Sequence, residues 1–315
     1  MTFSEIVKDE ILNNIPENAC CKVAFLSAFI RGAGTFVSQK GFIGVEIFSE
    51  NKKALEFAIS IINSLYGITP KITLVRGTNK GKSKYKIEVL SANSFEILKD
   101  LGFFEIEGGD VVINMNIDKY VVENDCCKKY FVIGAFMGNG SVTIPKIKSK
   151  TYTNYHLEFV FSNYKTASDF SALISELGFI PKHVPRKDTS VVYFKSSEEI
   201  GAILVYLGAK KSYFELESVI IERDITNETN RRVNCEMANI DKQINASEAQ
   251  INNIKIIEET VGLQSLPPQL LSTAKLRVAH PDLTLTELST LQGITKSCLN
   301  HRLRKIAEIA KNCTL

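Results

Sequence analysis

"ENACCKVAFLSAFIRGAGTF", residues 17–36, returns as "ENDCCKKYFVIGAFMGNGSV", residues 123–142. Both copies run Glu-Asn-x-Cys-Cys-Lys, then an apolar stretch centred on Ala28-Phe29 or Ala135-Phe136, then small residues where a helix should end. The echo continues downstream. "GVEIFSENKKALEFAISIINSLYGITPKI" is answered by "HLEFVFSNYKTASDFSALISELGFIPKHV", with an extended start, Ala54/Ala167 and Phe57/Phe170 at helical spacing, and a Pro70-Lys71/Pro181-Lys182 exit. "YKIEVLSANSFEILKDLGFF" and "VVYFKSSEEIGAILVYLGAK" each read as a strand, a polar turn and a helix closed by Gly102 or Gly208. The sequence thus predicts a duplicated α+β domain over residues 1–222, made of two αββαββα halves at about 17–120 and 123–222.

A unit of this length is too long for a solenoid repeat and suits two pseudo-symmetric lobes packed together. The opening helices are expected to form the interface. Ser27, Ala28, Gly32 and Ala33 on one, and Gly134, Ala135, Gly138 and Gly140 on the other, allow two backbones to approach closely.

At 315 residues the chain is long enough for two or three cores. With 38 basic and 35 acidic residues its net charge is +3, so nucleic acid would have to be met by local patches. No apolar run approaches the roughly 20 residues of a membrane span, and "MTFSEIVKDE" lacks a signal-peptide layout; a cytoplasmic location is expected, with no membrane partner. Seven cysteines include the adjacent pairs Cys20-Cys21 and Cys126-Cys127, a spacing that suits neither disulfides nor CxxC metal knuckles. Reduced thiols are expected there, with no metal and no cofactor.

"LSAFIRGAG" (Leu26–Gly34) and "IGAFMGNGS" (Ile133–Ser141) resemble degenerate forms of the LAGLIDADG motif of homing endonucleases. The resemblance implies paired motif helices beneath a saddle of sheets that straddles DNA. It also implies that an acid at the eighth motif position would bind the divalent cation for strand cleavage, and Ala33 and Gly140 are taken to hold those positions. Neither offers the oxygen donor that Mg²⁺ requires, so no catalytic residue, no nuclease activity and no small-molecule substrate are expected.

"KITLVRGTNKGKSKYK" carries Arg76, Lys80, Lys82 and Lys84 without an acid, and the second half has Arg186 and Lys187 in the matching place. These are candidate DNA-backbone contacts; the alternative is solvated turn charge. "GTNKGKS" (Gly77–Ser83) is one residue short of a P-loop and joins two strands instead of opening a helix, which argues against nucleotide binding.

Residues 223–264 read as an asparagine-rich helical linker. Val233, Met237, Ile240 and Ile244 form an apolar stripe expected to be packed, and Ser247 with Gln250 offers a capping box for a second helix reaching Gly262. Residues 265–315 divide into three helices: Pro267-Pro268 opens the first and Pro281 closes it, Thr284 and Glu287 cap the second before Gly293, and Thr295 caps the third. This is the layout of an all-α helix-turn-helix domain. In the third helix Leu299, Leu303, Ile306 and Ala310 make the core stripe. Asn300 and Arg304 are suited to base edges, Lys296 and Ser297 to phosphates or the first base, and Arg302 and Lys305 to the backbone. His301 lies on the same polar side, either as a contact or as a neutral surface residue.

The degenerate repeat, its two Cys-Cys-Lys headers, the "VNCEMANIDKQINA" linker and the terminal "NHRLRKI" helix together resemble the bacterial WhiA family, over essentially the whole chain. That resemblance implies a nucleoid-associated transcriptional regulator of cell division, chromosome segregation and, in sporulating lineages, sporulation. Its partner would be double-stranded DNA, with a co-regulator protein as a further candidate. The competing expectations are a protein-interaction scaffold built on the saddle and a residual homing-type endonuclease.

Overall fold

The computed structural model describes residues 1–75, 84–146 and 154–313, which form two compact units, Met1–Arg223 and Asp224–Leu315. In the first unit, a short helix α1 (Phe3–Ile11) precedes the first half: α2 (Ala19–Ala33), β1 (Gly34–Gln39), β2 (Phe42–Ser49), α3 (Lys52–Tyr66), β3 (Thr73–Val75), β4 (Lys84–Val89) and α4 (Ser94–Asp100). A hairpin, β5 (Phe104–Glu107) and β6 (Asp110–Ile113), leads into the second half. That half repeats the order with α5 (Asp125–Asn139), β7 (Gly140–Thr143), β8 (His156–Phe161), α6 (Tyr164–Glu176), β9 (Lys182–Pro185), β10 (Ser190–Phe194) and α7 (Ser197–Leu207).

Each half forms an antiparallel four-stranded sheet of the same order, β1-β2-β4-β3 and β7-β8-β10-β9. Alternation sends Leu157, Phe159 and Phe161 of β8 inward, as Val45 and Ile47 do in β2, which leaves the opposite face of each sheet to solvent. Gly102 and Gly208 end α4 and α7 at φ +73° and +86°, a left-handed geometry that disfavours any side chain.

α2 and α5 run through the core. Seven consecutive residues of α2, Ala24 to Ile30, are buried, which requires the helix to be covered on every side. The close approach is real: a Cβ on Gly134 would stand 2.2 Å from the Phe25 carbonyl oxygen, and one on Gly138 2.8 Å from that of Phe29. Two of the small residues expected at this interface serve elsewhere. Ser27 donates to the Leu101 carbonyl at 2.7 Å, and Gly140 is the C-cap of α5, packed on its own Phe136.

The cap positions also correct the motif register. Gly34 ends α2 as Gly140 ends α5, so the residue that answers Ala33 is Asn139. The Ala-Phe pairs stand one residue out of step between the two helices: counted from the caps, Ala28 answers Gly134.

Because α2 and α5 begin side by side, Cys20, Cys21, Cys126 and Cys127 bring their sulfur atoms within 4.8 Å of one another. Cys21 and Cys127 are buried, whereas Cys20 and Cys126 are exposed.

The expected two-helix linker is replaced by one continuous helix, α8 (Lys210–Thr260). Glu10 accepts hydrogen bonds from the Lys211 and Ser212 backbone N–H groups at 2.6 and 3.0 Å, satisfying its first turn. Ser247 is not a cap; it is buried inside the helix and donates to the Pro281 carbonyl at 2.7 Å. The stripe of Val233, Met237, Ile240 and Ile244 is not packed: each remains about half exposed. The second unit continues with α9 (Pro268–Ala279), α10 (Leu285–Leu291) and α11 (Lys296–Cys313), and its core joins Ile254 and Ile257 of α8 to Leu270, Leu288, Leu303 and Ile306.

Candidate nucleic-acid interface

The candidate recognition helix is positioned by local chemistry. Thr284 Oγ1 accepts from the Glu287 N–H at 3.2 Å while the Glu287 carboxylate accepts from the Thr284 N–H at 2.8 Å, a reciprocal cap that starts α10. The same bonds hold the Glu287 carboxyl below its ordinary range. Gly293 turns the chain at φ +66°, and Thr295 Oγ1 accepts from the Cys298 N–H at 3.2 Å to start α11.

One residue essential to this geometry gave no sequence signal. Arg277 of α9 is buried, and its Nη2 donates to the carbonyls of His280, Pro281 and Leu283 at 3.0, 2.9 and 2.8 Å. It gathers the loop that delivers α10, and its burial pulls the guanidinium below its usual pKa. A lone arginine in an amphipathic helix looks like surface; only the fold aims it inward.

On α11, Leu299, Leu303, Ile306 and Ala310 are buried as expected. Lys296, Ser297, Asn300, His301, Arg304 and Lys305 are exposed, and Ser297, Asn300, His301 and Arg304 stand at i, i+3, i+4 and i+7 along one side. Arg302 is half-buried on the flank. Among the described residues none of these side chains has an ion-pair partner, so their donors remain open to solvent.

The open faces of the two sheets differ. Glu46 and Glu158 occupy corresponding positions, opposite Thr35 and Ser141 in the strand pairing. Lys86 is engaged by Glu46 at 2.5 Å and Glu88 at 3.4 Å; Arg186 lies 3.8 Å from Glu158, which also takes His156 at 3.1 Å. Lys86 and Arg186 are thus partly neutralised in place. Lys84 and Lys187 are exposed, and Arg76, Lys80 and Lys82 lie outside the described residues.

At the C-terminal end of α5 lies a cleft of about 790 Å³ lined by Lys8, Asp9, Glu50, Lys84, Met137 and Asn139 among others. Lys8 donates to the Met137 carbonyl at 3.3 Å, placing a cation on the negative end of the α5 dipole. Burial lowers its ammonium to about 8, opposed by Glu50. Asp9 is tied to Lys53 at 2.7 Å and Asn51 at 3.0 Å, and Asn139 donates to Val160 O at 2.8 Å. Arg31, two residues before Ala33, donates to the Gly102 and Asn114 carbonyls at 2.8 and 3.2 Å and lies over the Phe103 ring at 4.4 Å. Ala33 and Asn139 offer no carboxylate, and Lys8 brings a positive charge to the α5 terminus, a poor setting for Mg²⁺.

No helix among the described residues is long and apolar enough to cross a membrane. Residues 19–104 match the WhiA N-terminal LAGLIDADG-like domain, residues 128–226 the WhiA LAGLIDADG-like domain, and residues 229–310 the WhiA C-terminal HTH domain. The probable cell division protein WhiA of Thermoanaerobacter pseudethanolicus is 38% identical, over 99% of this chain and 98% of that protein. Its counterpart in Clostridium botulinum strain Hall is 35% identical, over 98% of each. The crystal structure of full-length WhiA from Thermatoga maritima, at 24% identity, superposes with a TM-score of 0.56 over 99% of both chains and shows the same fold. Three successive domains in the same order, and relatives aligned nearly end to end, place the chain in the WhiA family.

Proposed function

We propose that the chain is a DNA-binding transcriptional regulator acting in cell division, and that α11 chooses the sequence. The observation that carries this is the open polar side of α11, where Ser297, Asn300, His301 and Arg304 stand exposed and unpaired on the second helix of a helix-turn-helix. Asn300 can offer paired bonds to an adenine edge and Arg304 to a guanine edge; Lys296, Arg302 and Lys305 would hold phosphates. The names of the relatives support the cell-division assignment. Roles in chromosome segregation and sporulation belong to the same proposal. In-vitro selection from random duplex DNA with the intact chain should yield a motif that the Asn300→Ala/Arg304→Ala double variant no longer selects. Retention of the same motif by that variant would overturn the assignment.

For the LAGLIDADG-like unit a second reading has its own support. Glu46, Glu88 and Glu158 on the open sheet faces repel phosphates and neutralise Lys86 and Arg186, which favours a protein partner such as a co-regulator over DNA on these surfaces. We propose no nuclease activity, on the donor set around Ala33 and Asn139. Site-specific nicking of plasmid in Mg²⁺ that survives a Lys8→Ala change and purification to homogeneity would refute this.

A further inference from the structure

We propose that Cys20, Cys21, Cys126 and Cys127 form a tetrathiolate site for one zinc ion, which clamps together the N-terminal ends of α2 and α5. Four sulfur atoms, each within 4.8 Å of the other three, are near enough together to share one ion. Zinc held by four thiolates at about 2.3 Å needs sulfur–sulfur edges of about 3.8 Å; the Cys126–Cys127 pair already stands at 4.0 Å. The required contraction is no more than rotamer adjustment can supply. An iron–sulfur cluster would place inorganic sulfide and several irons between the cysteines and force them farther apart. Hard cations are disfavoured by an all-sulfur set.

The surroundings suit thiolates. Each pair lies in the first turn of its helix, where backbone N–H groups and the positive end of the helix dipole lower the cost of negative charge. The N-cap residues Asn18 and Asn124 make no side-chain cap hydrogen bond, so those N–H groups remain available. Exposed Cys20 and Cys126 give the ion an entry path, while Cys21 and Cys127 close the inner side. Binding converts four thiols and Zn²⁺ into a dianionic tetrathiolate complex and releases four protons; no electrons move. Since each half contributes one pair, the ion would tie the duplicated lobes together at the end of the helix pair opposite the Lys8 cleft.

The full-length protein, purified without chelator, should carry one equivalent of zinc and no sulfide. Under native conditions only Cys235, Cys298 and Cys313 of the seven cysteines should react with a thiol reagent, all seven becoming reactive after chelation. Co²⁺ exchanged into the wild-type chain should give the charge-transfer and ligand-field bands of a tetrahedral tetrathiolate. The Cys20→Ser/Cys126→Ser variant, altered only at the exposed pair, should bind zinc more than about 100-fold more weakly. The Co²⁺ spectrum keeps the test valid even if that variant folds poorly. Four free thiols with no stoichiometric metal at saturating zinc, disulfides between the halves in freshly purified protein, or iron with sulfide would each overturn the proposal.

Discussion

The helix α2 and the helix α11 are similar in length and opposite in use. α2 is buried around its whole circumference from Ala24 to Ile30, and its polar residues are spent on internal bonds, Ser27 to Leu101 and Arg31 to Gly102 and Asn114. α11 buries one stripe and leaves the opposite side open. A helix covered on all sides can only be scaffold, because any side chain able to recognise a partner would have to be desolvated and paired within the protein. A helix with one buried stripe is held in place and keeps a surface for work. The motif helices of this protein therefore carry architecture.

The largest effect should come from disturbing the scaffold. Gly134→Leu drives a side chain into the Phe25 carbonyl and should cost more than about 3 kcal/mol, read by denaturant unfolding of the intact protein. A loss under about 1 kcal/mol would mean that α2 and α5 are not so closely packed. Arg277→Met leaves three carbonyls of the α9–α10 loop without their donor and should destabilise the C-terminal unit by about 2 to 3 kcal/mol. Unchanged unfolding of that unit would show that the clamp is dispensable.

On the working side, Asn300→Ala or Arg304→Ala should weaken binding to the selected DNA site by roughly 1 to 3 kcal/mol with unfolding unchanged and non-specific binding spared. Equal losses on all sequences would reduce these residues to phosphate contacts. Lys8 tests the opposite case, a charge enclosed by the scaffold. Its folded pKa near 8 lies below the ordinary 10.5, so between those values the unfolded chain holds a proton that the folded chain lacks. This group's contribution therefore grows more favourable as pH rises through the window, and is unfavourable below it. Lys8→Met should raise the melting temperature at pH 7, with the advantage shrinking towards pH 10.5; a constant advantage would show that packing, not charge, is responsible. The smallest effect is expected from Arg186→Ala, since Glu158 already lies beside that guanidinium: the salt dependence of DNA binding should change by well under one phosphate contact. A full-unit change in slope would return the sheet face to the DNA interface.

Much of this organisation was legible in the chain. The repeat gave the two halves because each copy must bury the same faces, and the common strand order bears that out. Capping chemistry gave α10 and α11, since Thr284, Glu287, Gly293 and Thr295 act through backbone bonds a few residues away. Local rules failed at Ser247, which resembles a helix cap yet bonds to Pro281, 34 residues distant. They failed also along α8, where periodicity implied a packed stripe but could not say whether any surface would cover it.

The sequence by itself determined the duplication, the order of elements within each half, the close-packed helix pair and the polar side of the last helix, because these follow from periodicity and from bonds spanning a few residues. Only the tertiary structure decided that Asn139 and not Gly140 answers Ala33, that Arg277 points inward and that Lys8 stands at the end of α5. It alone brought Cys20 and Cys21 to Cys126 and Cys127. Adjacent cysteines look unfit for a metal when judged by spacing along one chain; two helices starting side by side convert two unfit pairs into four converging sulfurs, since ligand geometry is set by distance in space.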